Sequence, residues 1–245
     1  MKRFIWFIII ILALYFSINL IQFGLRLARG HRIASESTPF EVKNPNAMRR
    51  MLIVGDSTGV GTGVTNPSQS IAGLIAQEYH CVDIMNLADN GAMVTDVINQ
   101  IDSVHRQDFD LVLVQVGGND ILRFTPLYDL QVSTYNLVKK AQSKGKHVIF
   151  MSSGNVGNAP AFFPPVTWLY THRTLLVKNV FHDVSGELGI QYVDLFKSRR
   201  EDPFLADKAR YFAPDFLHPS AQGYRLWYGE MKRQTSLDQI LRCID

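Results

Sequence analysis

The chain has 245 residues, 47% of them hydrophobic, which allows one α/β domain of about 200 residues with a tail and excludes disorder along the whole length. Its net charge of +3 is unevenly placed, because five of the 25 basic residues and none of the 22 acidic residues lie within 1–32. The remainder therefore has no basic excess with which to neutralise several phosphates, and we expect no nucleic-acid partner.

The N-terminus is the most apolar part of the chain. Residues 4–25 carry no charge, and a helix needs roughly 20 residues to cross a bilayer core. We predict a transmembrane anchor over 1–25, with a cleaved signal as the alternative, although Ala28-Arg29-Gly30 is a poor cleavage site. Basic residues on both sides of the span set its orientation only weakly. We predict a single-pass membrane protein whose body lies outside the cytoplasm.

Residues 26–49 are predicted to be a linker, since they are rich in arginine and then in serine, proline and asparagine, with no periodic apolar pattern. From residue 50 to 245, short apolar runs alternate with longer amphipathic stretches. The runs predict strands over 51–54, 82–87, 111–116, 147–151 and 191–195. The stretches predict helices over 70–79, 94–104, 127–142, 167–188 and 221–241. Such alternation is typical of a parallel sheet with helices on both faces.

Polar residues follow several of these strands. The first strand precedes Gly55-Asp56-Ser57, the second Asn90-Gly91, the third Gly117-Gly118-Asn119-Asp120, and Asp215-Phe216-Leu217-His218-Pro219 lies beyond the fifth. In an open parallel sheet, ligands bind beyond the carboxyl ends of the strands, where the strand order reverses. We therefore expect these sequence-distant residues to meet at one edge of the sheet.

The residue types fit acyl transfer. Ser57 is the candidate nucleophile, because glycines on both sides let a substrate approach, and a serine needs a base within about 2.6–3.2 Å. His218 is the candidate base, with Asp215 to hold its tautomer and stabilise the imidazolium. The backbone N–H groups of Ser57 and Gly91 and the side-chain amide of Asn119 are the candidate oxyanion donors.

Each residue also has a plainer interpretation. Ser57 would be a turn serine or part of a phosphate loop, but the glycine spacing matches neither a P-loop nor a dinucleotide fingerprint. Asn119 would bond its own loop, and a backbone carbonyl would orient His218 in place of Asp215. We interpret Asp56 and Asp120 as structural supports at helix N-termini. The other six histidines are expected to be structural, namely His31, His80, His105, His147, His172 and His182.

The four polar blocks, in this order, resemble those of the SGNH (GDSL) hydrolase superfamily, with Ser57, Gly91, Asn119 and His218 at the four named positions. The resemblance spans 50–230, and Thr58 stands where the name-giving motif has leucine. It implies a three-layer α/β/α flavodoxin-like fold with a five-stranded parallel sheet. It also implies hydrolysis of esters or thioesters without a metal or an organic cofactor.

We therefore expect a serine ester hydrolase acting on a small-molecule or lipid ester. The alternatives are an O-acetyl esterase acting on cell-envelope carbohydrate, and a membrane-tethered binding module without catalysis. Residues 162–170 carry several aromatic side chains that either line an acyl pocket or form a lid on the core.

Cys81 and Cys243 have neither zinc-site nor redox-motif spacing. They either pair in an oxidising compartment or remain two small buried thiols, and we favour the thiols.

Overall fold

The computed structural model describes residues 2–243. The strands are β1 (Arg49–Gly55), β2 (Val82–Asn86), β3 (Phe109–Gln115), β4 (Gly145–Met151) and β5 (Gln191–Val193). The helices are α1 (Lys2–Glu36), α2 (Ser57–Val60), α3 (Ile71–Glu78), α4 (Val94–Asp102), α5 (Gly118–Leu122), α6 (Leu127–Lys144), α7 (Val166–Glu187), α8 (Lys208–Tyr211), α9 (Ala221–Gln234) and α10 (Leu237–Leu241). The five strands lie where the apolar runs predicted them, with ends that differ by up to two residues.

The five strands form one parallel sheet in the order β2-β1-β3-β4-β5. After β2 the chain crosses over β1 to reach β3, so the strand order reverses between β1 and β3. At that point Gly55 pairs with Gln115 at the carboxyl ends of the two strands. This topology confirms the predicted α/β fold class and places the expected ligand site between these two strands.

Helices cover both faces of the sheet and complete three layers. Alternate residues of β1 and β3 point to opposite faces, so Leu52 and Val112 pack on the side of α4, α6 and α7. Ile53 and Leu113 pack on the side of α3, α9 and α10. Both faces of the central strands are buried, which explains why β3 is a continuous apolar run rather than an alternating one.

The closing helix differs from its prediction. The single helix expected over 221–241 is two helices, because local side-chain hydrogen bonds interrupt the backbone ladder. The Thr235 hydroxyl donates to the Met231 carbonyl at 2.7 Å and accepts the N–H of Leu237 at 3.3 Å. The N–H of Ser236 donates to Gln191 Oε1 at 2.7 Å, which ties this break to β5.

The largest difference lies at the N-terminus. Helix α1 has 35 residues and continues to Glu36, so residues 26–36 are helical, which the lack of a periodic apolar pattern did not predict. Its most apolar window has a mean hydropathy of 2.6, so by length and composition it can cross a membrane. Beyond it, Val42 forms an isolated antiparallel bridge with Ile84 of β2. The division into anchor, linker and domain remains an interpretation.

Cys81 and Cys243 are joined by a disulfide bond, so our expectation of two buried thiols was wrong. Their sequence separation is 162 residues, and no spacing rule predicts such a pair. Helix α10 returns to the core beside β3 and leaves Cys243 next to the segment before β2. The bond therefore closes a loop that contains β2 to β5 and α4 to α10, whereas β1, α2 and α3 precede it.

Candidate active site

Ser57 is the first residue of α2, immediately beyond β1. Gly55 is required before it, because a Cβ there would lie 2.0 Å from the Gln115 carbonyl oxygen of β3.

Asp56 caps α2: its Oδ1 accepts the N–H and the hydroxyl of Thr58, each at 2.8 Å. Its Oδ2 accepts the N–H of Gly118 at 3.3 Å. Burial raises the pKa of Asp56, whose carboxyl joins the loops after β1 and β3.

His218 and Asp215 lie in the loop between α8 and α9. Asp215 Oδ1 accepts the N–H groups of Leu217 at 3.0 Å and His218 at 3.1 Å, while its Oδ2 lies 2.6 Å from His218 Nδ1. Asp215 is only 1% exposed, and burial alone would raise its pKa. The hydrogen bond and charge of His218, with the two backbone N–H groups, outweigh burial and lower the pKa of Asp215. This carboxylate is therefore ionised near neutral pH.

The opposite ring nitrogen of His218 faces the candidate nucleophile. Its Nε2 lies 3.0 Å from Ser57 Oγ, across 161 residues of sequence. The structure thus brings the predicted hydroxyl, imidazole and carboxylate into one hydrogen-bonded row, within the range that general-base activation of a serine requires.

The predicted oxyanion donors line the same cavity of about 840 Å³ as Ser57 and His218. Gly91 has a φ of +80°, a conformation that favours glycine. Within the described residues, neither the N–H of Gly91 nor that of Ser57 donates to another backbone carbonyl. Asn119 Nδ2 donates to the Ala92 carbonyl at 3.0 Å, so the amide bonds the neighbouring loop rather than its own. A side-chain amide nitrogen carries two N–H groups, so Asn119 has a second one that can donate to a ligand.

Asp120 has a supporting position. Its Oδ2 accepts the N–H of Val94 at 3.1 Å, at the start of α4, and its Oδ1 accepts the Thr125 hydroxyl at 3.0 Å. Burial raises the pKa of Asp120. The carboxyl therefore links α4 to the segment after α5, as expected of a structural support.

Sequence reasoning missed the residues that fix the Gly91 loop. The Thr62 hydroxyl donates to Asn90 Oδ1 at 2.6 Å, and Asn90 Nδ2 donates to the Ala34 carbonyl of α1 at 3.0 Å. These contacts join segments 28 and 56 residues apart. A polar side chain gives no local signal of a partner so distant in sequence.

The cavity has walls that the polar blocks did not indicate. Helix α1 contributes a set of lining residues that includes Phe23, Arg26 and Gly30, and His31 lies at this wall although we expected it to be structural only. Phe162 lines the cavity and is also buried in the core, so both interpretations of the aromatic segment apply to it. Trp168 is 68% exposed, so it is not buried in the core, and it does not line the cavity.

The parallel sheet and the polar cluster at the carboxyl ends of β1 and β3 define the class: an α/β protein of the GDSL/SGNH hydrolase type. The chain belongs to the GDSL-like lipase/acylhydrolase family, whose model matches residues 53–226. It is therefore a carboxylic ester hydrolase. No curated protein matches the chain.

Solved structures share this fold at low sequence identity. A lipolytic G-D-S-L family member from Veillonella parvula is 19% identical, with a TM-score of 0.59 over 76% of this chain and 97% of that chain. The structure of TesA is 19% identical, with a TM-score of 0.61 over 79% and 100% of the two chains. An acetylxylan esterase from Geobacillus stearothermophilus is 18% identical, with a TM-score of 0.56 over 82% and 100%.

Proposed function

We propose that this ester hydrolase cleaves acyl esters through a Ser57-His218-Asp215 triad and an oxyanion hole. The observation that carries the proposal is the continuous row of contacts, 3.0 Å from Ser57 Oγ to His218 Nε2 and 2.6 Å from His218 Nδ1 to Asp215 Oδ2. A row of this geometry activates a serine, because the imidazole takes the hydroxyl proton while the carboxylate holds the tautomer.

The proposed reaction has two halves. Ser57 Oγ attacks the acyl carbonyl as His218 Nε2 takes its proton, and Asp215 stabilises the imidazolium. The tetrahedral intermediate collapses, the C–O bond to the alcohol breaks, and His218 returns the proton to the departing oxygen. A water molecule, deprotonated by His218, then attacks the acyl-serine. The acid leaves and Ser57 regains its proton.

The oxyanion that forms in each half needs donors placed in advance. The N–H groups of Ser57 and Gly91 and the free N–H of Asn119 Nδ2 are suited to this, since all three residues line the cavity. Loss of one such donor typically raises the barrier by about 2.7–4 kcal/mol. Asp56 and Asp120 hold the donor loops in place without touching the reacting atoms.

We also propose that α1 anchors the enzyme in a membrane, with the body outside the cytoplasm. The apolar length of α1 supports the anchor. The Cys81–Cys243 disulfide supports the side, because such bonds persist in oxidising compartments and are rare in the cytosol.

A fluorophosphonate probe tests the nucleophile directly, because it forms a stable bond with an activated serine. We expect the wild type to be labelled and Ser57→Ala to be unlabelled. Ser153→Ala is the matched control, since Ser153 lines the same cavity with no hydrogen-bond partner for its hydroxyl among the described residues, and it should still label. An unlabelled wild type would instead favour the binding module without catalysis.

An O-acetyl esterase for cell-envelope carbohydrate is the second candidate. Its support is the similar fold of an acetylxylan esterase and the Tyr170 ring at the cavity, because planar aromatic side chains beside polar groups suit a sugar. Comparing acetylated oligosaccharide with esters of increasing acyl length separates the two substrates. A preference for the sugar, with little hydrolysis of longer acyl chains, would favour this candidate.

A further inference from the structure

We propose that the second half of α1 is one wall of the ester site, and that Phe23 on this wall binds, with Phe162 and Tyr170, the acyl chain of a membrane-resident ester. The inference rests on the proposed function of Ser57. It goes further in making the anchor helix itself a part of the substrate site.

One face of α1 lies against the body. All described residues before Asn19 are exposed, whereas those that become partly buried recur every three or four positions from 19 to 33, with 34 beside the last. They are Asn19, Phe23, Arg26, Gly30, Ile33 and Ala34. This is the spacing of one helical face, so α1 docks along a defined stripe.

Specific contacts hold that stripe in place. Arg26 Nη1 donates to the Pro160 carbonyl at 2.5 Å, and its guanidinium lies 5.3 Å from the centre of the Phe216 ring, in the loop that carries Asp215 and His218. Further along, the Ala34 carbonyl accepts from Asn90, next to the oxyanion candidate Gly91. The helix therefore contacts the base loop through Arg26 and is hydrogen-bonded to the oxyanion loop through Ala34.

Gly30 shows how close this approach is. A Cβ at residue 30 would lie 3.2 Å from Asp215 Oδ2, the oxygen that holds His218. Gly24, on the same helix, has nothing within 4 Å of such a Cβ. The helix backbone thus packs directly beside the carboxylate of the proposed triad.

The wall continues as a row of aromatic rings. The Phe23 ring lies 5.9 Å from that of Phe162, which lies 4.6 Å from that of Tyr170, and Tyr170 is followed by Phe124 at 5.5 Å. Phe23, Phe162 and Tyr170 line the cavity together with Leu122. This end of the cavity has the apolar surface that an acyl chain needs.

The same region reaches the apolar part of α1. The rings of Tyr15 and Phe16 lie 6.2 and 6.1 Å from that of Phe163, and the Tyr15 hydroxyl donates to the Pro164 carbonyl at 3.4 Å. Tyr15 and Phe16 lie within the uncharged stretch 4–25, so the loop that carries Phe162 lies at the level of the proposed membrane span.

Trp168, exposed at the start of α7, belongs to a residue type that is enriched at bilayer interfaces. An ester in the bilayer can therefore pass its acyl chain along α1 to Ser57.

The test compares full-length enzyme in detergent micelles on p-nitrophenyl dodecanoate and p-nitrophenyl acetate. For Phe23→Ala we expect the ratio of kcat/KM, dodecanoate over acetate, to fall at least about tenfold. Phe23→Leu, which restores apolar bulk, should recover most of the ratio. Leu25→Ala is the matched control, because Leu25 is 59% exposed on the same helix, and its ratio should equal that of the wild type.

A second pair of variants tests the wall independently. Gly30→Leu should lower kcat/KM on both esters at least about tenfold, because the new side chain displaces either α1 or Asp215. Gly24→Leu should retain wild-type values. An unchanged chain-length ratio in Phe23→Ala, or equal activity of the two leucine variants, would overturn the inference while leaving Ser57 catalysis intact. A wild type that hydrolyses neither ester would overturn the proposed function and this inference together.

Discussion

At the scale of single residues, Asp215 shows how burial and hydrogen bonding compete. The carboxylate is buried, yet its pKa is lowered, because two backbone N–H groups and His218 stabilise the charged form. At Asp56 and Asp120 burial outweighs the hydrogen bonds that stabilise the charged form, and the pKa values of both carboxyls are raised. The three acids near the site therefore divide by environment into one that is suited to orient the imidazole and two that join loops.

Asp215→Asn should lower kcat roughly 10⁴-fold with little effect on KM. The amide can keep Oδ1 toward the two backbone N–H groups, but its NH₂ then faces His218 Nδ1 and imposes the wrong tautomer on the base. Steady-state kinetics at neutral pH measure the loss. Asp89→Asn, an exposed carboxylate at the cavity rim, should keep nearly full activity.

The same substitution has a signature in stability against pH. Since the pKa of Asp215 is lowered on folding, its contribution is complete above the unfolded value of about 3.9 and is lost as pH falls through the lower folded value. The difference in unfolding free energy between wild type and Asp215→Asn should thus be largest above pH ~5 and shrink below pH ~4. Denaturant titrations over this range measure it, and a difference that grew toward acid pH would contradict the assigned direction.

The positions of the candidate residues could largely be predicted. Ser57, Gly91 and Asn119 follow strands in glycine-rich turns, whereas Asp215 and His218 lie between α8 and α9 and were indicated by their spacing beside a proline. The residues that hold the site together could not be predicted. Thr62 and Asn90 form hydrogen bonds with residues far away in sequence. The need for a glycine at residue 30 follows only from the position of Asp215 in the folded protein.

At the scale of elements, apolar periodicity was a good guide wherever a helix or strand packs on the sheet. Apolar periodicity did not predict the ends or the packing of helices that depend on polar contacts. The break at Thr235 arises from side-chain hydrogen bonds, which leave the apolar spacing of α9 and α10 unchanged. The second half of α1 docks through a stripe that contains Arg26 and Gly30, so its face has no continuous apolar pattern.

The Cys81–Cys243 disulfide joins the segment before β2 to the segment after α10. Cys243→Ser should lower the unfolding free energy by about 2–4 kcal/mol, because the open chain gains conformational freedom when unfolded. Chemical denaturation measures this loss. A reductant should bring the wild type down to the stability of the variant and leave the variant unaffected. Equal stability of the wild type and the variant without reductant would show that the bond does not form.

At the scale of the whole molecule, α1 contains the apolar N-terminal stretch and also contacts the hydrolase body, two parts that the sequence suggested were separate. The apolar stretch and the hydrolase body were expected to be connected by a linker, and the fold of the body was predicted without reference to the anchor. The structure instead places α1 against the loops of Asp215 and Gly91. No sequence pattern predicts this contact, since it depends on where the loops lie after folding.

The anchor interpretation predicts that residues 4–25 remain on the mature protein and hold it in the membrane. After carbonate washing, the protein should stay in the pellet, and N-terminal peptides from that pellet should include this stretch. Release of an active protein that lacks these residues would identify a cleaved signal. Such a product would also lack Phe23 and so contradict a role of this residue in the mature site.

The proposed mechanism transfers the acyl group to Ser57, and trapping the acyl-serine intermediate is the sharpest test of this step. The enzyme is mixed with p-nitrophenyl butyrate, quenched in acid within the first turnovers, and digested for mass spectrometry. We predict a butyryl group on the peptide that contains Ser57, formed at the rate of the initial p-nitrophenol burst and absent from His218→Ala. Turnover that leaves this peptide unmodified, or an acyl group on another residue, would contradict acyl transfer to Ser57.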